Sequence, residues 1–353
     1  MDKRKLNEMF EETGVEVLIS EAPQTRLWYA GVQTTDGFIA IEKDKATLFV
    51  DGRYIEYCRN NAKNVDVVLI KGNSLAEWFA KRDYKKIALE KNYLTKEVQD
   101  RIVKMVNPEE IKWIDAQALR VIKSKDELKI MQAVIDISLS ALEKFKQWVK
   151  PGVTEKEAGA YLNFLLKKHG GDKEGFDEII ATASSSAEPH HHTTDKKLEE
   201  GCLLKVDFGA RYKGYTADIT RTWILGGEDK VKDPKALEIL NIVKEAAAAG
   251  RASVKPGMKA SDVDKVCRDY IKAKGYGDYF VHSTGHGLGI DVHEWPSISP
   301  MSQWVLEPGM ILTVEPGIYI EGLGGARIED DVLVTEKGHY VFSRQEENNE
   351  TIF

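Results

Sequence analysis

The chain has 353 residues, 42% hydrophobic and 30% charged, an ordinary globular composition with length enough for two domains and a sizeable core. Its 57 acidic and 50 basic residues give a formal net charge of -7, which argues against nucleic acid or a membrane surface as a partner. The three cysteines, Cys58, Cys202 and Cys267, are widely spaced with no CxxC pair, so neither a disulfide framework nor a thiolate zinc site is indicated. The amino terminus, MDKRKLNEMFEE, lacks an apolar leader and no apolar run approaches the roughly 20 residues of a membrane span, so the expectation is a soluble, cytoplasmic chain.

From the amino terminus, strand-like runs alternate with helical patterns: VEVLIS from Val15, FIAIEK and ATLFVD after Gly37, VDVVLI from Val65 and KIALE from Lys86. Such alternation predicts an α/β domain over residues 1–120. Within it Asp51-Gly52-Arg53-Tyr54 closes a strand and reads equally as a helix cap with a packed tyrosine or as a functional turn. Ser124 and Glu127 form a capping box, which starts a long helix and a second domain over residues 121–353. Leu128, Met131, Ile135, Leu139, Leu142 and Phe145 lay an apolar stripe along that helix, which Pro151-Gly152 ends. Thr154 and Glu157 repeat the box for a second helix, and Pro234 to Val254 and Ser261 to Lys274 give a matching pair.

The second domain contains an internal duplication. LEEGCLLKVDFG (Leu198 to Gly209) aligns with LEPGMILTVEPG (Leu306 to Gly317), and upstream Lys150-Pro151-Gly152-Val153 aligns with Lys255-Pro256-Gly257-Met258. Each copy reads as a turn and an apolar strand ending in an acid, Asp207 or Glu315. A further acid follows each, Asp218 in YTADITRT and Glu329 in ARIEDDVLV, in β-branched segments predicted as the returning strands of hairpins. One duplication, rather than an array, predicts two halves about a pseudo-two-fold axis, helices outside and hairpins inside, with the four acids converging.

Histidines accompany the acids: His190, His191 and His192 before the first hairpin, and His282, His286 and His293 before the second. Imidazole with carboxylates is the ligand mixture of hard to borderline divalent metals. Four acids are too many for one ion and suggest two, about 3.5–4 Å apart with bridging carboxylates, able to activate water and polarise a carbonyl. An acid at the inner end of an apolar strand is costly unless paired or metal-bound, whereas at least two of three adjacent histidines must serve solvent or packing. GHGLG and GLGG do not fit a dinucleotide fingerprint, and Ser297 stands where the second histidine of HExxH would be.

With these motifs the chain resembles the pita-bread metallopeptidases, in the branch of aminopeptidase P and prolidase. The resemblance spans nearly the whole sequence, with a creatinase-like α/β domain followed by the pita-bread domain, an α/β (α+β) fold. It implies a five-ligand set. VDFGARYKGYTADITRT supplies Asp207 and Asp218, HSTGHGLGIDVHE supplies His286, TVEPG supplies Glu315 and ARIEDDVLV supplies Glu329. Asp207, Asp218 and Glu329 are assigned to one metal and His286 and Glu315 to the other, with Asp207 a further candidate for the second. The resemblance further implies that His190, His282 and His293 line the substrate site, that Arg327 stands beside the last ligand, and that the protein is a homodimer. The metals expected are Mn or Co, with Zn or Fe as alternatives.

The activity so implied is hydrolysis of the bond between an amino-terminal residue and proline in proline-containing peptides, with Glu315 as proton shuttle and His282 and His293 holding the substrate or oxyanion. Two positions depart from the family. Cys202 replaces a frequent acid, away from the metals. Ser297 replaces the arginine of archaeal-type prolidases, which favours an aminopeptidase P-like activity over an Xaa-Pro dipeptidase. The rivals are a metal-free binding or scaffolding protein on the same fold, a creatinase-like amidinohydrolase, and a methionine aminopeptidase, a group that usually lacks the amino-terminal domain.

Overall fold

Short apolar runs build the first part of the chain: the strands Val17–Ser20, Phe38–Ile41 and Ala46–Val50 are fully buried, whereas Asp66–Leu69 and Glu110–Ile114 are mostly half-buried. The computed structural model describes residues 1–348 and residue 352. It divides into two compact units, Met1–Arg120 and Val121–Phe353.

In the first unit a six-stranded sheet runs Asp66–Leu69, Ala46–Val50, Phe38–Ile41, Val17–Ser20, Lys86–Glu90, Glu110–Ile114 in spatial order. Its centre is antiparallel, and the outer strands join in parallel through helical crossovers. Phe49, Phe79, Tyr84, Ile87 and Ile102 belong to one buried cluster of this unit. Asp51 does not cap a helix with its side chain. Its carboxylate accepts from the Arg53 backbone N–H (2.8 Å) and pairs with the Arg53 guanidinium (2.6 Å), and the helix Ile55–Asn61 starts at Tyr54 without a side-chain cap.

In the second unit both capping boxes form as their spacing predicts. Ser124 and Glu127 start Lys125–Trp148, and Thr154 and Glu157 start Glu155–Lys168. The matching helices are Pro234–Ser253 and Ala260–Ala273. Along the first helix Met131, Ile135, Leu142 and Phe145 are buried, joined by Val134, Ser138 and Ala141, whereas Leu128 and Leu139 are half-buried.

The duplication extends to individual hydrogen bonds. Gly152 N–H donates to Leu198 O (2.9 Å) and Gly257 N–H to Leu306 O (2.8 Å), while Leu198 N–H donates to Val153 O and Leu306 N–H to Met258 O, both 2.8 Å. Gly152 (φ 90°) and Gly257 (φ 80°) adopt left-handed backbone at the same turn, a conformation open to glycine at little cost.

Each predicted hairpin is broken rather than continuous. The first runs Leu203–Phe208, Ala210–Tyr212, Tyr215–Thr216, Ile219–Ile224, and the second Ile311–Val314, Gly317–Ile320, Gly324–Arg327, Asp330–Val334. Asp218 and Glu329 therefore sit in two-residue breaks just before the returning strands, not within them, and Glu315 lies in the break after Val314. Asp207 stays inside its strand, paired with Thr220 and Ile179. A break frees the carboxylate from the pleat's strict alternation and lets it point across to the other hairpin.

Candidate active site

A cavity of about 480 Å³ lies in the second unit, and Asp207, Asp218, His286, Glu315, Glu329, His190, His282, His293 and Arg327 all line it. Ser297 lines it too, whereas Cys202 is half-buried at the entry of its strand. The glycines around His286 have a steric cause. The strand Gly285–Gly287 is squeezed between Glu294–Ile298 and Ile311–Val314, and a Cβ at Gly285 or Gly287 would lie 2.0 Å from the carbonyl oxygen of Thr313 or Trp295.

His286 holds the acids together. Its Nε2 is 3.2 Å from Glu315 Oε1 and 3.6 Å from Asp218 Oδ2, and ligand-type atoms of Asp218, His286 and Glu329 lie within 4.8 Å of one another. Its Nδ1 faces Gly287 O at 3.0 Å and must donate there, which leaves Nε2 to face the acids. Thr220 Oγ1 donates to Glu329 Oε2 (2.6 Å) and Thr313 Oγ1 to Glu315 Oε1 (3.1 Å). Asp207 Oδ2 pairs with Arg327, while its buried Oδ1 has no hydrogen-bond partner among the described residues.

These acids crowd one another. Burial, and then the charges of Glu329, Asp207, Glu315 and Asp331, push Asp218 well above the usual carboxylate range; burial with Glu315 and Asp207 does the same to Glu329. Glu315 goes the other way. Against the effect of burial, His286 and then Arg327 hold it at about 2. An orphaned carboxylate oxygen and acids that cannot all ionise side by side are what a multivalent cation relieves, so the donor set fits divalent metal.

Around the acids the remaining groups form one chain of contacts. His282 Nδ1 faces Ser283 O (2.7 Å) and must donate, so its Nε2 accepts from Tyr319 OH (2.8 Å) while burial keeps the imidazole below its ordinary pKa. Tyr319 OH accepts from Arg327 Nη1 (3.1 Å), which also donates to Pro189 O (3.1 Å), and Arg327 Nε donates to Thr220 Oγ1 (3.0 Å). His293 packs edge-on to His286 with ring centroids 4.5 Å apart. Of the three adjacent histidines, His190 lines the cavity, His192 is exposed, and His191 is buried between Glu155 (2.9 Å) and Glu188 (2.7 Å).

Tyr319 and Lys205 were not legible from the sequence as parts of this site. Tyr319 sits in GIYI, which begins at the last glycine of TVEPG, and its only signal is an aromatic with a polar tip in an otherwise apolar strand. Lys205 is stronger: a lysine in the apolar run LLKVDF is a conflict between residue and burial, of the kind that marks functional positions. Burial and then the Arg327 charge push its pKa down to about 6, while the charges of Asp207 and Glu188 pull the other way.

An α/β unit followed by a duplicated unit with acids at its strand breaks defines the class, a pita-bread metallopeptidase. Residues 129–336 match metallopeptidase family M24 and residues 3–122 match the creatinase/prolidase N-terminal domain. The chain belongs to metallopeptidase family M24, whose members use divalent metal. It is 36% identical over 337 residues to the Xaa-Pro dipeptidase of Pyrococcus furiosus, covering 95% of each chain. Among solved structures it resembles the Xaa-Pro dipeptidase from Bacillus anthracis with a TM-score of 0.91 and 36% identity, covering 99% of this chain and 98% of that one. It also resembles the X-Pro aminopeptidase from Thermotoga maritima, with a TM-score of 0.88 and 32% identity over 96% and 97% of the two chains. Among the described residues no helix is long and apolar enough to cross a membrane.

Proposed function

We propose that the chain hydrolyses the bond between an amino-terminal residue and proline, with Asp207, Asp218, His286, Glu315 and Glu329 holding two divalent ions, Mn or Co before Zn or Fe. The observation that carries the metal reading is the buried, unpartnered Asp207 Oδ1 among acids gathered on His286. It counts against a metal-free scaffold, which would gain nothing from burying these charges. Relatives named Xaa-Pro dipeptidase and X-Pro aminopeptidase, each similar along nearly its whole length, support the substrate class. We read the chain as a homodimer from the resemblance of its motifs alone, and its three free cysteines suit a reducing, cytoplasmic setting.

An Xaa-Pro bond is a tertiary amide without an N–H. Its nitrogen leaves only if a proton is delivered to it. Divalent metal at this set supplies an activated water and a Lewis acid for the carbonyl. Glu315, held ionised, accepts the proton of the attacking water and returns it to the proline nitrogen. His282, kept neutral by burial and with its Nε2 accepting from Tyr319, holds the substrate in place, and His293 meets the developing negative charge of its carbonyl.

Longer peptides are favoured over dipeptides. A dipeptide presents the carboxylate of its proline, and pairing that charge calls for a cation, best an arginine fork. Arg327 is the one lysine or arginine among the described lining residues, and Asp207, Tyr319, Pro189 and Thr220 already occupy it. Ser297 offers only a hydroxyl.

The test is a panel of Xaa-Pro and Xaa-Pro-Yaa peptides given to protein loaded separately with Mn, Co and Zn. Cleavage before proline is expected under at least one metal. A metal-loaded, folded protein that cleaves none of them sinks the assignment.

A further inference from the structure

Lys205 is fully buried on the strand Leu203–Phe208, two residues before Asp207, so that strand alternation points both side chains to one face. Its Nζ donates to three carbonyls of a single loop: Ser186 O at 3.2 Å, Glu188 O at 2.5 Å and Pro189 O at 3.2 Å. It also lies 5.2 Å from the ring centroid of Tyr319, the residue that ties His282 to Arg327. Burying a lysine here is unfavourable unless its donors are used. Among the described residues, its side-chain hydrogen bonds all go to that loop.

The loop is secured at both ends of a short stretch. Pro189 O accepts from Lys205 and also from Arg327 Nη1 (3.1 Å), so two buried side chains hold one peptide group. On the other side His191 is held by Glu155 and Glu188, and Glu155 Oε2 also accepts from Thr194 N–H (3.0 Å). Between the two clamps stands His190, with its side chain at the cavity.

We propose that Lys205 is a positioning residue for His190: by drawing the carbonyls of Ser186, Glu188 and Pro189 onto the strand that carries Asp207, it sets where the His190 imidazole meets the substrate. This rests on the proposed substrate role of His190.

The experiment is a double-mutant cycle on metal-loaded full-length protein with an Xaa-Pro-Yaa peptide, comparing wild type, Lys205→Met, His190→Ala and the double variant, with metal content and Tm recorded for each. Lys205→Met is expected to lower kcat/KM about tenfold at unchanged metal content, and to cost less than about twofold once His190 is alanine, because effects transmitted through one residue are not additive. Lys205→Gln, which keeps two donors for the carbonyls, is expected to recover part of the loss, and it replaces Lys205→Met in the cycle if the methionine variant does not fold. If His190→Ala is damaging but the lysine substitution costs the same factor in both backgrounds, or nothing in either, the positioning role is overturned and the substrate role of His190 stands. If His190→Ala leaves kcat/KM unchanged, the substrate role falls and the positioning role with it.

Discussion

Glu329 and Asp330 are adjacent in the chain and face electrostatic fields of opposite sign. Glu329 turns into the cavity, where burial and neighbouring acids raise its pKa. Asp330 turns away and meets Arg221 (2.7 Å), Arg251 (2.9 Å), Arg344 (2.8 Å) and the Ser343 hydroxyl (2.7 Å). Against the effect of burial, these guanidinium groups hold it below the usual carboxylate range. Arg221 also donates to the Glu329 carbonyl, so the arginine cluster fixes the backbone that carries the cavity carboxylate.

Asp330→Asn removes the shared counter-charge of three arginines while keeping side-chain volume. Breaking a buried ion-pair network from one side costs about 3–5 kcal/mol, so the urea midpoint at pH 7 is expected to fall sharply. The sign with pH follows from the lowered pKa. The Asp330 contribution is complete above the ordinary carboxylate value of 3.8 and is lost as pH falls below it toward the folded value, so the gap between wild type and variant narrows in acid. A loss under about 1 kcal/mol at pH 7 would mean the pairs are structurally idle.

Asp218→Asn keeps volume and removes a central charge of the cluster. Metal content and hydrolysis are both expected to collapse, while the metal-free variant melts no lower than metal-free wild type, because its acids repel less. Full activity with bound metal would remove Asp218 from the ligand set. In wild type, chelation is expected to lower Tm, and more so at higher pH. Asp218 and Glu329 have raised pKa values in the stripped protein, so that form loses stability as pH climbs from the ordinary carboxylate range through those values. The Tm gap between loaded and stripped protein should therefore shrink between pH 8 and pH 5, and a constant gap would contradict the charge-crowding account.

His282→Ala and His293→Ala are expected to lower kcat by about 10²–10³ with metal content intact, as loss of a group that positions the substrate or meets the oxyanion does. Tyr319→Phe removes only the hydroxyl that joins His282 to Arg327 and should cost about tenfold. Metal analysis beside steady-state kinetics decides the matter: a histidine variant that arrives without metal is a ligand, not a substrate group.

For chain length, kcat/KM is compared for Ala-Pro and Ala-Pro-Ala under one metal. The tripeptide is expected to be the better substrate, and Ser297→Arg to shift the ratio toward the dipeptide by supplying a cation for its carboxylate. A tenfold preference of the unaltered protein for the dipeptide, worth about 1.4 kcal/mol of transition-state discrimination, would reverse the assignment while leaving Xaa-Pro specificity in place.

Much of this protein is written locally in its sequence. Capping boxes four residues wide, apolar stripes at helical spacing and two alignable twelve-residue strings are short-range patterns, so both helix pairs, the duplication and its four acids could be named before any coordinates, and the resemblance carried by the motifs around them added the remaining cavity-lining side chains. The tertiary structure decided what those side chains do to one another. Glu329 meets Thr220 across 109 positions, Asp207 meets Arg327 across 120, and Tyr319 and Lys205 enter only because the chain brings His282 and the Ser186–Pro189 loop to them. The same holds for ARIEDDVLV, where neighbouring acids are alike in composition. Which one keeps its proton and which one gathers arginines depends on burial and on charges within a few ångströms, and those distances exist only once the two copies have folded against each other.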